Sequence, residues 1–401
     1  MMAGSESRYQ AFLEGLAREN LRRELVDVEA VDARTIRVKG RDYVSLASND
    51  YLALRFHQTL IERAAEWAKR YGTGSGASRL VTGNLDLFAG IEAKVAKLKG
   101  KPSCLVMASG FQANAAVLAA LFDRAVLGAE PLVFADRLNH ASMHFGCKAA
   151  GIRELRYRHA DAAHLGDLLS QHQGDRGPKF ILTESVFSMD GDVAPLKEIS
   201  RLALAHEACL IVDDAHATGI LGAGGSGFSG GADIVIGTFS KALGSFGAYV
   251  ACSATTRDFL INRCTGLIYS TALPPPVLGA IDAALDLISG MEADRAHVAR
   301  LAARFRAGAR ALGHDTGTSV TQIVPVICGA AEAALDFSER LRKAGFWATP
   351  IRPPTVPKGT ARVRLAFTRA HTECDVDLLL EAIADTANSA RAQSHARAHP
   401  A

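Results

Sequence analysis

Through the middle of the chain, short apolar runs break repeatedly into polar residues: 104–107, 132–134, 180–182, 210–212 and 234–236. Each run is too short for a helix and rich in strand-forming residues, so each predicts a buried strand. Helical periods lie between them, as in Phe111-Gln-Ala-Asn-Ala-Ala-Val. This alternation predicts an α/β fold with a doubly wound, mostly parallel sheet, whose reactive side chains emerge at the carboxyl ends of the strands. Residues 7–25 place Tyr9, Phe12, Leu13, Leu16 and Leu21 near one helical face, with Arg18, Arg22 and Arg23 off it, which predicts a docking helix. Alternation over 31–46 predicts a small hairpin around Gly40, and 48–52 a loop. Beyond Pro274-Pro-Pro276 the texture changes to longer helical patterns at 277–288 and 297–312, then strand-like segments at 323–327 and 363–367. The division expected is an N-terminal helix and hairpin over 1–46, a large domain over 47–280, a smaller C-terminal α+β domain over 281–387, and a polar mobile tail over 388–401.

Composition narrows the function. With 401 residues and 48% apolar content the chain can bury a large core. Its 45 basic and 42 acidic residues are spread without a basic run, and few aromatics interleave with them, which excludes nucleic acid as an expected partner. Seven widely spaced cysteines without a CxxC read as reduced thiols. No apolar stretch reaches membrane-spanning length, and Glu6, Glu14, Glu19 and Glu24 argue against a targeting peptide, so no membrane and a cytoplasmic location are expected. The glycine-rich segment Tyr71-Gly-Thr-Gly-Ser-Gly-Ala-Ser78 has no strand before it and no Gly-Lys-Ser/Thr after it. It predicts close backbone approach at a site or interface rather than a phosphate loop.

The strand exits carry the chemistry. Asp213 and His216 follow one strand; Thr238 and Lys241 follow another. An amine, a carboxylate and an imidazole gathered there suit pyridoxal phosphate: the amine holds the cofactor aldehyde and exchanges it for a substrate amine, while the carboxylate keeps the pyridine nitrogen protonated. Opposite unit charges about 4 Å apart attract by roughly 4 kcal/mol at an effective dielectric near 20, against about 1.4 kcal/mol per pKa unit. Taken singly, Lys241 reads as a solvated lysine and Asp213 as a helix cap; the constellation reverses that. Ser109-Gly110 precedes a helix whose amides suit a phosphate. His140 and the Glu184-to-Ser188 segment follow strands in the same way, and Asn49 sits in the 48–52 loop. No metal-ligand pattern accompanies them.

At these residues the sequence resembles the α-oxoamine synthase family. The resemblance is carried by Ser48-Asn-Asp-Tyr-Leu52, Ser109-Gly-Phe111, Leu138-Asn-His-Ala-Ser142, Thr183-Glu-Ser-Val-Phe-Ser-Met-Asp-Gly191, Val212-Asp-Asp-Ala-His216, Thr238-Phe-Ser-Lys241, Ile268-Tyr-Ser-Thr271 and the segment from Ile351 to Arg364. It implies a fold type I pyridoxal-phosphate enzyme, a homodimer with shared active sites. It also implies Lys241 as the Schiff-base lysine, Asp213 as pyridinium partner, His140 stacked on the ring, and His216 and Ser188 near the phenolic oxygen. Ser109, Gly110, Phe111, Glu184 and Thr238, with Thr271 from the other subunit, complete the cofactor set. Arg364 would pair with an amino-acid carboxylate, with Asn49 nearby, and Arg22, Arg352 and Thr355 would complete the substrate-binding set. The implied reaction is a decarboxylative condensation of an amino acid with an acyl thioester. Residues 355–362, after Arg352-Pro-Pro354, favour the branch joining L-alanine to a pimeloyl thioester, on coenzyme A or a carrier protein, over the branches that use glycine or serine. An aminotransferase would need the same Lys241 and Asp213; a binding protein of this fold would not need Lys241. Ala53 and Ala217 depart from the family pattern, which has glycine at both, and bear on acyl-chain preference.

Overall fold

The computed structural model describes residues 3–384; the tail expected over 388–401 lies outside the described residues. The chain divides into two compact units, one of residues 49–188 and 192–297, the other of residues 3–48, 189–191 and 298–384. The N-terminal helix and hairpin thus group with the C-terminal part of the chain.

In the larger unit a seven-stranded sheet runs in the order Ser103–Met107, Ala248–Cys252, Ile234–Thr238, Ala208–Asp213, Lys179–Glu184, Leu132–Asp136, Leu155–Tyr157. The last five are mutually parallel, whereas Ala248–Cys252 is antiparallel to both neighbours. Its apolar pattern, AYVAC, matches that of a parallel strand. Its direction follows from the connection: residues 239–247 are too few for a crossover, which needs a dozen or more. Every residue of Ile234–Thr238 and of Ala248–Cys252 is buried, as expected of strands covered on both faces.

Two helices against this sheet place much of the site. Gly110–Leu121 packs on Ala141–Ala149 through Val117, Leu118, Met143 and Cys147, all buried. A Cβ at Gly146 would lie 2.8 Å from the Leu118 Cβ and 2.9 Å from the Asn114 carbonyl oxygen, so only glycine permits this approach. Truncating Leu118 to alanine in such a seam costs about 2–5 kcal/mol.

The smaller unit holds a hairpin, Thr35–Val38 and Arg41–Ser45, turning through Lys39 and Gly40 at φ 51° and 77° as the alternation predicts. The strand Phe346–Trp347 joins it in parallel. A three-stranded antiparallel sheet is formed by Ile323–Gly329, Ala361–Ala366 and Thr349–Ile351. The N-terminal helix is Ala3–Arg18, shorter at its carboxyl end than the pattern implied. Asn20 adopts φ 56°, Leu21 N–H turns back to the Leu16 carbonyl at 2.8 Å, and the Asn20 amide donates to Glu332 at 2.9 Å. A left-handed asparagine so anchored ends the helix although the apolar period continues to Leu21.

The glycine-rich 71–78 segment follows the helix Gln58–Tyr71, not a strand. Gly72 and Gly76 have φ 87° and 71°, and a Cβ on Gly72, Gly74 or Gly76 would meet no atom of this chain within 4 Å. Within the chain, then, these two glycines serve backbone conformation rather than close approach. All seven cysteines are free thiols, four of them buried. No helix among the described residues is long and apolar enough to cross a membrane.

Candidate active site

The register of the sheet sets the site. Glu184 pairs across with Asp213, and Asp213 with Ile236, so three parallel strands reach their carboxyl ends side by side. A cavity of about 190 Å³ opens there, lined by Gly110, Phe111, Asn114, His140, Ser142, Glu184, Asp213, Ala215, His216, Thr238, Ser240 and Lys241. Such a position, where loops leave the strand ends, is where open α/β sheets take ligands.

Asp213 is buried and held by neutral donors. The Asn114 side-chain amide donates to one oxygen at 2.6 Å and the Ala215 backbone N–H to the other at 2.9 Å. These bonds orient the carboxylate and leave its charge for a ligand cation. His216 has its Nδ1 2.7 Å from the hydroxyl of the fully buried Tyr51, which in turn lies 3.2 Å from the Asn49 side-chain oxygen Oδ1. Asn49 is therefore joined to the site through Tyr51. Burial, with the Asp213 charge added, pushes the Glu184 acid well above the usual carboxylate range, though Lys241 and the His140 backbone N–H oppose it. Burial likewise lowers the His140 pKa, which favours the neutral ring.

Gly110 and Phe111 open the helix Gly110–Leu121, where backbone N–H groups have no carbonyl four residues back to receive them. Ser109 is the N-cap of that helix and accepts from Gln112 N–H at 3.3 Å. It is not among the residues that line the cavity. Ser188 is buried in the turn after Lys179–Glu184 and does not line the cavity. Thr271 forms an isolated bridge with Ser78 and lines a separate narrow cleft.

The remaining expected residues belong to the smaller unit. Arg22, Arg352 and Thr355 line a cleft of about 730 Å³ with Arg23, Leu25, Val26, Trp347 and Ile351. Arg352 is engaged by the Asn20 and Arg22 carbonyls, and Arg23 donates to Thr355 at 2.9 Å, so Arg352 supports the cleft wall. Arg364 is buried on Ala361–Ala366, on the same face as Arg362, which pairs with Asp190. Sequence reasoning missed Asn114, Ser142 and Tyr51. Asn114 could have been found: it lies one helical turn after Gly110 and shares its face. Of the two departures, Ala53 sits at φ 55° in the left-handed region, and Ala217 is fully buried.

The residues fit pyridoxal phosphate. Beside the lysine amine and the carboxylate, the buried Glu184 Oε1 and Asn114 Oδ1 have no hydrogen-bond partner among the described residues, and a helix N-terminus meets the same cavity. Buried polar atoms without partners mark a place built for a polar ligand. No cluster of metal-ligating side chains exists among the described residues.

Fold and site together define a fold type I pyridoxal-phosphate enzyme. The chain belongs to the aminotransferase class I and II family, whose pattern matches residues 41–383, and within it to the α-oxoamine synthases. It is 53% identical over 384 residues to the 8-amino-7-oxononanoate synthase of Gluconacetobacter diazotrophicus, covering 94% of this chain and 96% of that one. It is 46% identical over 380 residues to that of Geobacter sulfurreducens, covering 93% and 96%. Among solved structures it resembles SPT with PLP at a TM-score of 0.88 and 25% identity, covering 97% of this chain and 99% of that one.

Proposed function

We propose that this protein catalyses the decarboxylative condensation of L-alanine with a pimeloyl thioester, giving 8-amino-7-oxononanoate, carbon dioxide and the free thiol of coenzyme A or an acyl carrier protein. The observation that carries this reading is identity near 50% along nearly the full chain with 8-amino-7-oxononanoate synthases, joined to a cavity that gathers Lys241, Asp213, His140 and His216.

When bound, pyridoxal phosphate supplies an aldehyde for the amino group and an electron-withdrawing ring that stabilises negative charge at Cα. Asp213 would keep the ring nitrogen protonated, the first-turn amides of Gly110 and Phe111 with Thr238 would hold the phosphate, and His216 would serve the phenolic oxygen. Lys241 would hold the cofactor aldehyde, and its amine would take and return the proton at the amino acid's Cα. His140 donates a hydrogen bond to the thioester carbonyl, where negative charge develops as the new carbon–carbon bond forms and the thiolate departs. Arg364 receives the alanine carboxylate, which a bidentate guanidinium fits better than an ammonium. The cleft of Arg22, Arg23, Leu25 and Val26 suits an anionic thioester with an apolar chain. A homodimer accounts for the exposed Phe111, Phe145, Phe246 and Tyr269 and for Thr271 as a residue given to the other subunit's cofactor.

The test offers alanine, glycine and serine against pimeloyl, acetyl, succinyl and palmitoyl thioesters, following thiol and carbon dioxide release. Alanine with the pimeloyl donor is the expected best pair. Preference for glycine or serine would move the protein to another branch of the family, and pyruvate without thiol release would make it an aminotransferase.

A further inference from the structure

A chain of three hydrogen bonds links the two sides of the cavity. The Asn114 side-chain nitrogen lies 2.6 Å from the Asp213 carboxylate and 2.9 Å from the Ser142 hydroxyl. The Ser142 hydroxyl lies 2.7 Å from His140 Nδ1. Asn114 and Ser142 are both buried, and all four residues line the cavity.

Donor and acceptor identities along this chain follow from its two ends, the Asp213 carboxylate and the Ser142 backbone N–H. An ionised carboxylate only accepts, so the Asn114 atom facing Asp213 is its NH₂ group, and the second hydrogen of that group goes to the Ser142 oxygen. The Ser142 oxygen accepts from Asn114 and keeps its one hydrogen to give, and where Nδ1 is an acceptor that hydrogen points at it. The backbone N–H of Ser142 also reaches Nδ1, at 3.3 Å, where His140 caps the helix Ala141–Ala149. A nitrogen receiving two donors cannot carry a proton of its own. Burial favours the neutral ring, and an accepting Nδ1 places its proton on Nε2.

We propose that Asn114 and Ser142 are positioning residues that hold His140 in the Nε2–H form, making it a fixed hydrogen-bond donor and not a base. On the functional reading above, on which this role rests, His140 can polarise a carbonyl but cannot take the Cα proton, which leaves that task to Lys241. The same Asn114 amide grips Asp213, so the group facing the ring nitrogen and the group facing the reacting carbonyl are oriented by one side chain.

The test is solid-state NMR of ¹⁵N-histidine-labelled, cofactor-loaded protein without substrate, near neutral pH, with the His140 signals identified by their loss in His140→Gln. The expected spectrum has Nδ1 unprotonated and Nε2 protonated. A protonated Nδ1, whether in the other tautomer or in an imidazolium, would overturn the proposal. In Ser142→Ala the second tautomer should appear, and kcat should fall about tenfold with the amino-acid KM little changed, as for a lost electrophilic contact. A Ser142→Ala protein whose tautomer and kcat both match wild type would equally overturn it. Because the spectrum is taken without amino acid or thioester, it stands or falls apart from the choice of substrates.

Discussion

At the end of the strand Ala208–Asp213 two successive carboxylates meet different surroundings. Asp213 lines the cavity and is held by Asn114 and the Ala215 N–H, both neutral. Asp214 is fully buried, 2.5 Å from the Lys99 ammonium, and also accepts from Ser185 at 2.5 Å and Phe228 N–H at 3.2 Å. Lys99 in turn donates to Thr218 at 2.8 Å and to the Ser226 carbonyl at 2.5 Å. A Cβ on Gly227 would come within 1.8 Å of Asp214 Oδ2, so nothing else fits there. Burial pulls the Lys99 pKa down, while the Asp214 charge opposes it. One carboxylate keeps its charge available to a ligand; the other has it cancelled internally and holds the turn that presents the first. The two lysines divide the same way, Lys241 lining the cavity and Lys99 enclosed.

Exchanging the two lysines' roles by mutation gives the widest contrast. Lys241→Ala should abolish condensation and the visible band of lysine-held cofactor while leaving urea stability near wild type. Lys99→Met should leave Asp214 buried and unpaired and cost about 3–5 kcal/mol of stability, with Lys99→Met/Asp214→Asn recovering much of it. Equal stability of wild type and Lys99→Met would erase the distinction.

A second buried charge cluster sharpens the comparison through pH. His159 bridges Asp136, at 3.1 Å from Nδ1, and Asp192, at 2.9 Å from Nε2. Burial lowers its pKa, but the hydrogen bonds and charges of the two carboxylates outweigh this and raise it to about 10. A pKa raised on folding stabilises fully below the unfolded value, about 6.5, and that stabilisation is lost as pH rises through the folded value. Wild-type urea stability should therefore decline toward pH about 10, and His159→Leu should lack that component of the slope. An unchanged slope in the variant would show that the imidazole is not charged. The smallest effect is expected at Ala53. Its φ of 55° strains a residue with a Cβ, so Ala53→Gly should gain about 0.5–1 kcal/mol in thermal unfolding. A loss there would mean that the methyl's packing outweighs the strain.

Much of this was legible along the chain because local forces write it there. Apolar runs ending in polar residues marked the parallel strands, and since a strand delivers its last side chains to one edge of the sheet, Asp213, His216, Thr238 and Lys241 group together in the sequence pattern alone. Ser109-Gly110 announced a helix N-terminus because capping is a matter of a few adjacent residues. The antiparallel Ala248–Cys252 strand was legible too, from its short connection, but only by asking how far nine residues reach.

What the tertiary structure alone decided are contacts between residues far apart in the chain. Nothing local to Asn114 names Asp213 and Ser142 as its partners, nothing in the Ser48-to-Leu52 loop ties Tyr51 to His216, and no pattern joins Lys99 to Asp214. The helix ending at Arg18 was likewise settled by a distant group, the Glu332 side chain that accepts from Asn20. Periodicity records which face of an element is buried; it carries no record of which distant side chain a buried polar atom must meet. That pairing exists only once the elements have packed, and in this protein it governs how the polar groups lining the cavity are oriented.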